Sequence, residues 1–520
     1  MSSPTAPTTS TLLRGASVIT MDATSGAAPL RRDVLLRGDR IEAVEPSISP
    51  ERADEVVDVT DRLIMPGLVN AHLHSWEALF KGRYDNLPLE LWMLFAYPIL
   101  GLSAPSRRLI ELRSLLVAIE SLKNGVTCIV DDVIEMPDQT TEALDAVFRA
   151  YEAAGIRANV SGNVLDRPIV DSLPFAADVL PPELLARGRE QPHSSPGDYL
   201  AFSEDALARW HGRDGRLRYV VAPSGPQRCT DALLVAADEL SQRHDTTYHI
   251  HVLETKTQAV TGHELYGRTL VEHLDDLGVL SERATLAHAV WVTDDDIERL
   301  ARAGSSVAHN AISNQKLGAG IAPFRKLLDA GVNLALGTDG VCSNDTPRMF
   351  DVMKAAGLLH KVTSPDYATW PSAPEILHAA TVAGARSAHI ADEVGSLEPG
   401  KRADLLVLRL DGPNFTPLND VVNQLVYCED GSSIEQVRVN GRVVVDDGRL
   451  TTLDEADVLA ELRAHAPEFL ERHAEVERLN EVFLPHVAAI HTRCAARPLG
   501  INRYSGGESA WLAGAEGARA

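Results

Sequence analysis

The order of apolar and polar positions changes character twice along the chain. From Leu12 to Val59, short alternating runs (LLRGASVITM, DVLLRGDRIEAVE, DEVVDV) predict β-strands joined by turns, with RGDR at 37–40 as a hairpin-like turn. From Leu63, short apolar runs alternate with helical stretches, the pattern of parallel βα units. Eight strands are predicted: Leu63–His72, Val126–Asp131, Arg157–Val164, Leu217–Pro223, Thr247–Leu253, Ala284–Ala289, Ser305–Asn310 and Asn333–Thr338. Helical patterns fall between and after them, among them Ser106–Lys123, Thr140–Ala154, Ala232–Arg243, Asp294–Ala303, Pro323–Ala330 and Pro347–His360. Eight such repeats predict an α/β fold, a (β/α)8 TIM barrel.

After a further helical stretch at Glu375–His389, β character returns in GSLEPGKRADLLVLRL and QVRVNGRVVVDDGRL. Two β blocks therefore bracket the barrel, and one small β-sandwich built from both chain ends is the economical reading. The predicted boundaries are 1–66 and 391–450 for the sandwich, 67–390 for the barrel and 451–520 for a helical extension and tail. In the extension, Leu459, Leu462, Phe469, Leu470, Val476 and Leu479 supply an apolar face. Residues 165–215 form the least regular part of the barrel, long for a βα connection and rich in Pro and Gly; a lid and a plain surface loop are both open.

In a βα barrel, chemistry gathers where strands end and loops begin. The first strand ends in Asn70-Ala71-His72-Leu73-His74, and residues two apart on a strand point the same way, so His72 and His74 face one spot. The fifth ends in His249-Ile250-His251 with Glu254 just beyond, the sixth in His288 and the eighth in Asp339. A lone histidine at a strand end is more often a hydrogen-bonded structural residue than a ligand. Four strand ends each carrying a ligand-type residue argue for a metal site. His249 lies deeper than His251 and reads as a barrel-interior residue. Glu254 as an exposed loop carboxylate, and His288 as a support for its neighbours, are the plainer alternatives.

Composition narrows the partners. Hydrophobic residues make up 45% and charged residues 23%, the balance of an ordinary folded chain, and the formal net charge is −24. Such acidity argues against nucleic acid and anionic membrane, which require a basic face, and leaves a small-molecule substrate. Five widely spaced cysteines suit reduced thiols. The N-terminus lacks a basic start and an apolar core, and Leu91–Leu102 is too short to span a bilayer. These features set the expectation of a cytoplasmic protein.

The segments MPGLVNAHLH (65–74), HVLETK (251–256), LAHAVW (286–291), VAHNAISNQKLGAGIAP (307–323), LALGTDGVCSND (334–345) and GSLEPGKRADLLVL (395–408) resemble the amidohydrolase superfamily. The similar branch holds methylthioadenosine/S-adenosylhomocysteine deaminases, guanine-type deaminases and s-triazine hydrolases. The resemblance runs from about Leu12 to about Asp447 and implies a hydrolase. It implies that His72, His74, His251 and Asp339 hold one divalent transition metal, Zn²⁺ first and Fe²⁺ second, which activates a water. Glu254 then carries a proton to the substrate nitrogen, His288 polarises substrate or orients the attacking water, and Asp339 takes its proton. Two-metal members place a bridging lysine at the end of strand four; here it reads Ala222-Pro223-Ser224-Gly225, so one metal is implied.

Two positions depart from the nucleoside-acting members. The glutamate that follows their WL segment is replaced within Ile99-Leu100-Gly101-Leu102, and the histidine of strand four is replaced by Ser224. Both departures weigh against a nucleoside substrate. Trp92, Ser224, Gln227 and Asn314 are the candidates for touching substrate, with Trp76, Tyr97, Trp291 and Arg228 as further pocket residues; Asn310 and Asn314 also read as loop caps. The expected reaction is hydrolytic deamination of an aminated heterocycle or amidine-like molecule. Removal of chloride or an alkylamine from a similar ring is the second reading, and a catalytically silent ligand-binding protein the third. A homo-oligomer is expected from the resemblance, helped by the apolar face of the C-terminal helices.

Overall fold

The computed structural model describes residues 9–136, 139–190 and 194–505. Strands from both ends of the chain share one nine-stranded sheet. Its hydrogen-bonded order is Arg449–Leu450, Arg442–Asp446, Ile434–Val439, Leu405–Arg409, Arg62–Pro66, Ser10–Val18, Leu30–Arg37 and Arg40–Glu45, with Glu55–Asp58 added along Ser10–Val18. The join between the two ends is antiparallel, from Leu405 opposite Pro66 to Arg409 opposite Arg62. The expected pairing of both chain ends is present. Gly38, at φ +60°, makes the turn predicted at RGDR.

Eight parallel strands follow in two four-stranded sheets. One holds Leu68–Leu73, Val126–Asp131, Arg157–Ser161 and Leu217–Val220. The other holds Tyr248–Val252, Ala284–His288, Ser306–His309 and Asn333–Leu336. All but Leu217–Val220 and Asn333–Leu336 are buried along their whole length, as strands covered on both faces must be. At one seam Val221 N donates to Thr247 O (3.0 Å) and His249 N to Val221 O (2.8 Å). At the other, Asp339 N donates to His72 O (2.9 Å), while Asn70 accepts from Thr338 N (3.0 Å) and donates to Thr338 Oγ1 (2.7 Å).

The predicted strand Leu63–His72 is in fact two. Arg62–Pro66 belongs to the nine-stranded sheet and Leu68–Leu73 to the parallel set. The break falls at Gly67, where a Cβ would overlap the Thr127 side chain; the chain passes between the two sheets only because that residue has none. The helices begin where local chemistry allows. Ser106 and Thr140 cap Arg107–Lys123 and Thr141–Ala154 through their hydroxyls, and Thr293 with Asp296 closes a capping box on Asp294–Ala303.

The insertion after strand three is structured where described. It contains helices Ala176–Val179, Pro182–Gly188 and Pro196–Trp210. Val170, Leu180 and Leu184 pack with Leu94, Ile99, Phe483, Val487 and Ile490, so insertion, the helix Leu89–Ala96 and the C-terminal helices share one apolar cluster. Helix Glu455–Asn480 lies on Arg107–Lys123, burying Leu462, Phe469 and Val476 within the chain; Leu479 is 51% exposed. That face is therefore largely used internally. No helix among the described residues is long and apolar enough to cross a membrane.

Arg157 ties the two sheet systems together. Its guanidinium donates to Asp404 Oδ2 (2.8 Å) and Oδ1 (3.1 Å), to Gly215 O (2.7 Å) and to Asn440 Oδ1 (2.5 Å), with both charged side chains under 5% exposed. Removing one partner of such a pair strands the other charge in the interior. Arg157→Leu is expected to destabilise the protein by about 3–5 kcal/mol, read from the denaturant midpoint; a change below about 1 kcal/mol, the range of exposed pairs, would show that the link is dispensable.

Candidate metal centre and catalytic cleft

Three imidazoles and one carboxylate meet at the C-terminal rim of the parallel strands. Asp339 Oδ1 lies 3.2 Å from His72 Nε2 and 3.3 Å from His74 Nε2, and His74 Nε2 lies 3.2 Å from His251 Nε2. Four ligand atoms placed tetrahedrally about 2.0–2.1 Å from one ion stand roughly 3.3 Å apart. The observed spacing therefore fits a single divalent cation. His72, His74 and Asp339 form one such group, and His251 joins His72 in another.

The reverse side of each ring explains why the Nε2 atoms point inward. His74 Nδ1 donates to Asp132 O (2.6 Å) and His251 Nδ1 to Ser224 O (3.0 Å), which turns Nε2 of each ring toward the centre. His72 Nδ1 meets His249 Nε2 at 2.8 Å. His249 is thus fully buried, as its position on the strand suggested, and orients a neighbour in the cluster. His72 Nε2 is buried with no hydrogen-bond partner, the condition of a lone pair aimed at a cation.

Beside this cluster stand Glu254 and His288. His288 Nε2 is 3.6 Å from Glu254 Oε2 and 3.9 Å from Asp339 Oδ2, while its Nδ1 donates to Asn314 Oδ1 at 2.9 Å. Burial pushes the Glu254 carboxyl up to about 7, against the pull of His288, so the group is poised between acid and base at neutral pH. Asp339 goes the other way. Burial raises it, but His288 and the facing His72 and His74 rings outweigh burial and hold it well below the carboxylate range. Ser313 Oγ donates to its second oxygen at 2.6 Å.

Leu253, His288 and Asp339 all adopt left-handed backbone, at φ +52°, +77° and +63°. Non-glycine residues take that conformation at a cost, and it recurs where side chains must be aimed. Here it turns the chain at three strand ends so that catalytic-type groups face one cleft.

The cleft measures about 620 Å³ including its open mouth. His74, His251, Glu254, His288 and Asp339 form its floor, and Trp92, Met93, Tyr97, Ser224 and Arg228 are among its walls. Leu165 and Ile169 also line it, so the start of the insertion contributes to the wall. Trp92 and Ser224, two of the candidates for touching substrate, thus line the cleft. Gln227 faces an adjoining side cleft instead, and Asn314 lines neither; it is 1% exposed and holds His288. Trp291 is buried with its indole donating to Ala319 O (2.8 Å), and Trp76 donates to Ala96 O (3.1 Å); neither lines the cleft.

Glu77 lines the cleft and was not anticipated. It follows His74 by three residues, on a 3-10 turn, and is 1% exposed. Its carboxylate accepts from Tyr97 OH (2.9 Å), Cys342 N (3.1 Å) and Ser343 N (3.2 Å), so it bridges the loops after strands one and eight. A buried glutamate within HLHSWE was the available signal, but its partners Cys342 and Ser343 lie more than 260 residues away.

Inward-facing imidazole and carboxylate on parallel-strand ends, with a buried glutamate alongside, fit the class of metal-dependent hydrolases. The chain belongs to the amidohydrolase family, whose model matches residues 63–444. It is 34% identical to the 5'-deoxyadenosine deaminase of Methanosarcina acetivorans over 464 residues, 89% of this chain and 98% of that one. Its structure is similar to an adenosine deaminase from Xanthomonas campestris with bound zinc (TM-score 0.76, 28% identity, 89% of this chain and 98% of that one). It is similar also to an atrazine chlorohydrolase from Arthrobacter aurescens complexed with zinc (TM-score 0.78, 26% identity, 88% and 100%).

Metal analysis of purified protein is expected to give about one transition-metal ion per chain, as four converging ligand atoms require. His251→Ala should lower that to a small fraction, and a reproducible value near two would refute the single-ion site. A second test concerns Glu77. A Cβ at Gly340 would overlap its carboxylate, so Gly340→Ala is expected to cost about 1–3 kcal/mol; unchanged stability and activity would show that Glu77 moves freely.

Proposed function

We propose that the chain hydrolyses the C–NH₂ bond of an aminated heterocycle and releases ammonia, with a free base preferred over a nucleoside. The observation that carries this reading is the placement of Glu254, His288 and Asp339 on one rim beside three convergent imidazoles. Family membership and the named activities of the similar proteins support it.

A divalent cation, which we take to be zinc, would be held by His72, His74, His251 and Asp339 and supplies the Lewis acidity that lets a water attack at neutral pH. Asp339, a carboxylate across this pH range, accepts the proton of the attacking water. Glu254, near pKa 7, delivers a proton to the ring nitrogen, and the proton that Asp339 took from the water passes to the departing amine. His288, fixed by Asn314, orients the attacking oxygen. The balance is water plus R–NH₂ giving R–OH plus NH₃. An amine needs that delivered proton to leave, whereas chloride does not, which favours deamination over dechlorination.

Supporting the free-base preference, Leu100 occupies the position of the nucleoside-acting members' glutamate. Its backbone is held at both ends by Asn480, with N to Oδ1 at 2.9 Å and Nδ2 to O at 2.7 Å, and its side chain lines neither cleft. One observation favours a nucleoside instead. Glu90 lines the side cleft, buried, with Oε1 accepting from Thr255 Oγ1 at 2.5 Å. It is a carboxylate of the kind that grips ribose hydroxyls.

Two further readings complete the proposal. The hydrogen bonds at both seams support a closed (β/α)8 barrel, and five unpaired cysteines support a cytoplasmic enzyme.

Ammonia release from a panel of aminopurines, aminopyrimidines and aminotriazines, compared with adenosine, 5'-deoxyadenosine and methylthioadenosine, tests the function. At least one free base is expected to exceed the nucleosides in kcat/KM by about tenfold or more, the effect of one unmatched buried hydroxyl or two. A nucleoside that wins by a wide margin would transfer the assignment to Glu90. Asp339→Asn is expected to reduce kcat by roughly 10³-fold or more; near-normal turnover with full metal content would show that another group takes the proton.

A further inference from the structure

Arg228 is a cation that no carboxylate contacts among the described residues. It lies just beyond the fourth parallel strand, and it lines both the main cleft and the side cleft. The two clefts also share Leu89, Met93, Tyr97 and Ile169 as walls, so Arg228 stands at their junction. Its Nη1 lies 3.4 Å from Ser224 Oγ and its Nη2 3.1 Å from Met93 Sδ, while its Nε is buried with no partner. No carboxylate pairs with it among the described residues. Arg113 and Arg157, which are buried, each meet one, in Glu135 and Asp404; Arg228 is half-buried.

A guanidinium in a largely apolar wall loses hydration and gains little from a thioether and one long hydroxyl contact. Burial accordingly weakens its hold on the proton. An oxygen acceptor arriving with a ligand would meet two unused donor directions in the planar fork. The residue's position says where on the ligand that oxygen must be. Ser224, which Arg228 touches, is also the residue whose carbonyl fixes His251. Arg228 is thus one residue removed from the cation cluster, on the wall rather than the floor. A heterocycle whose amine faces Glu254 presents a different edge to that wall. Gln258 Nε2 and Gln227 Oε1, buried and unpartnered beside the same side cleft, leave room there for further polar atoms of the ligand.

We propose that Arg228 reads an oxygen acceptor, a ring oxo group or a carboxylate, on the substrate edge away from the scissile amine, so that the substrate class is an oxygenated or carboxylated aminoheterocycle. This inference rests on the deaminase reading above for the reaction, but not for the binding.

The experiment compares ring pairs that differ by that oxygen. Cytosine is set against 4-aminopyrimidine, and 6-amino-2-oxopurine against adenine, with 4-aminopyrimidine-2-carboxylate separating carboxylate from oxo. Each is assayed for ammonia release and for equilibrium binding by quenching of tryptophan fluorescence. In the wild type, the oxygen-bearing member is expected to lead by about 10- to 100-fold in kcat/KM or in affinity, the range of a charged hydrogen bond. Arg228→Met should bring the ratio of affinities within each ring pair close to one, with metal content unchanged. Arg228→Lys, which keeps the charge but not the planar fork, should fall between. If no ring is deaminated but Arg228→Met still removes the binding preference, the reaction is misassigned and the role of Arg228 stands. If the wild type shows no preference for the oxygen, or if the variant weakens binding of both members of a pair equally, the role of Arg228 is overturned.

Discussion

Asp339 is held at a crossing of fold and chemistry, and most of the structure can be traced from it. Its backbone N–H donates to His72 O across the seam between the first and eighth parallel strands. Its carboxylate faces His72 Nε2 and His74 Nε2 and accepts from Ser313. The same residue thus joins two strands that are far apart in sequence and fixes the distance between the ligand atoms they carry. The left-handed backbone at Asp339 is what lets one residue serve both ends. A shift of register at this seam would separate the imidazoles from the carboxylate, so the packing of the strands and the spacing of the ligand cluster are one constraint.

That constraint was largely legible in the sequence because it is written locally. The alternation in Asn70–His74 puts two imidazoles on one face, and apolar runs ending in His or Asp mark strand ends. What was not legible depends on chain segments that approach from far away. Glu77 finds its partners at Tyr97, Cys342 and Ser343. Asn314 reads locally as a loop cap, and only the tertiary fold shows that it holds His288. The apolar face of the last long helix was visible, but whether a second copy or the chain itself covered it was not; the helix Arg107–Lys123 supplies that cover. Gly67 belongs to the same class, since nothing beside it announces that Thr127 will press against it.

The electrostatics of the cleft divide its two catalytic-type carboxylates. Both are buried, which by itself favours the neutral form. Asp339 is surrounded by imidazoles and stays ionised, whereas Glu254 has the more distant help of His288 and Arg228 and stays near neutrality. The two carboxyl groups are therefore separated by their surroundings, not by residue type. Arg228 acts on this balance too, as it is among the charges that lower Glu254.

The strand Arg62–Pro66 has a consequence for how the molecule is made. It is flanked by Ser10–Val18 on one side and by Leu405–Arg409 on the other, so one edge waits for a partner about 340 residues downstream. At ribosomal speeds of about 5–20 residues per second, that wait lasts roughly 17–70 s. For that time the nascent chain carries an open β edge, the kind of surface on which chains stick to one another. The parallel strands can assemble beneath it, but the first sheet is sealed only when translation is nearly over. Synthesis thus passes through an interval in which the half-made protein is a natural client for chaperones.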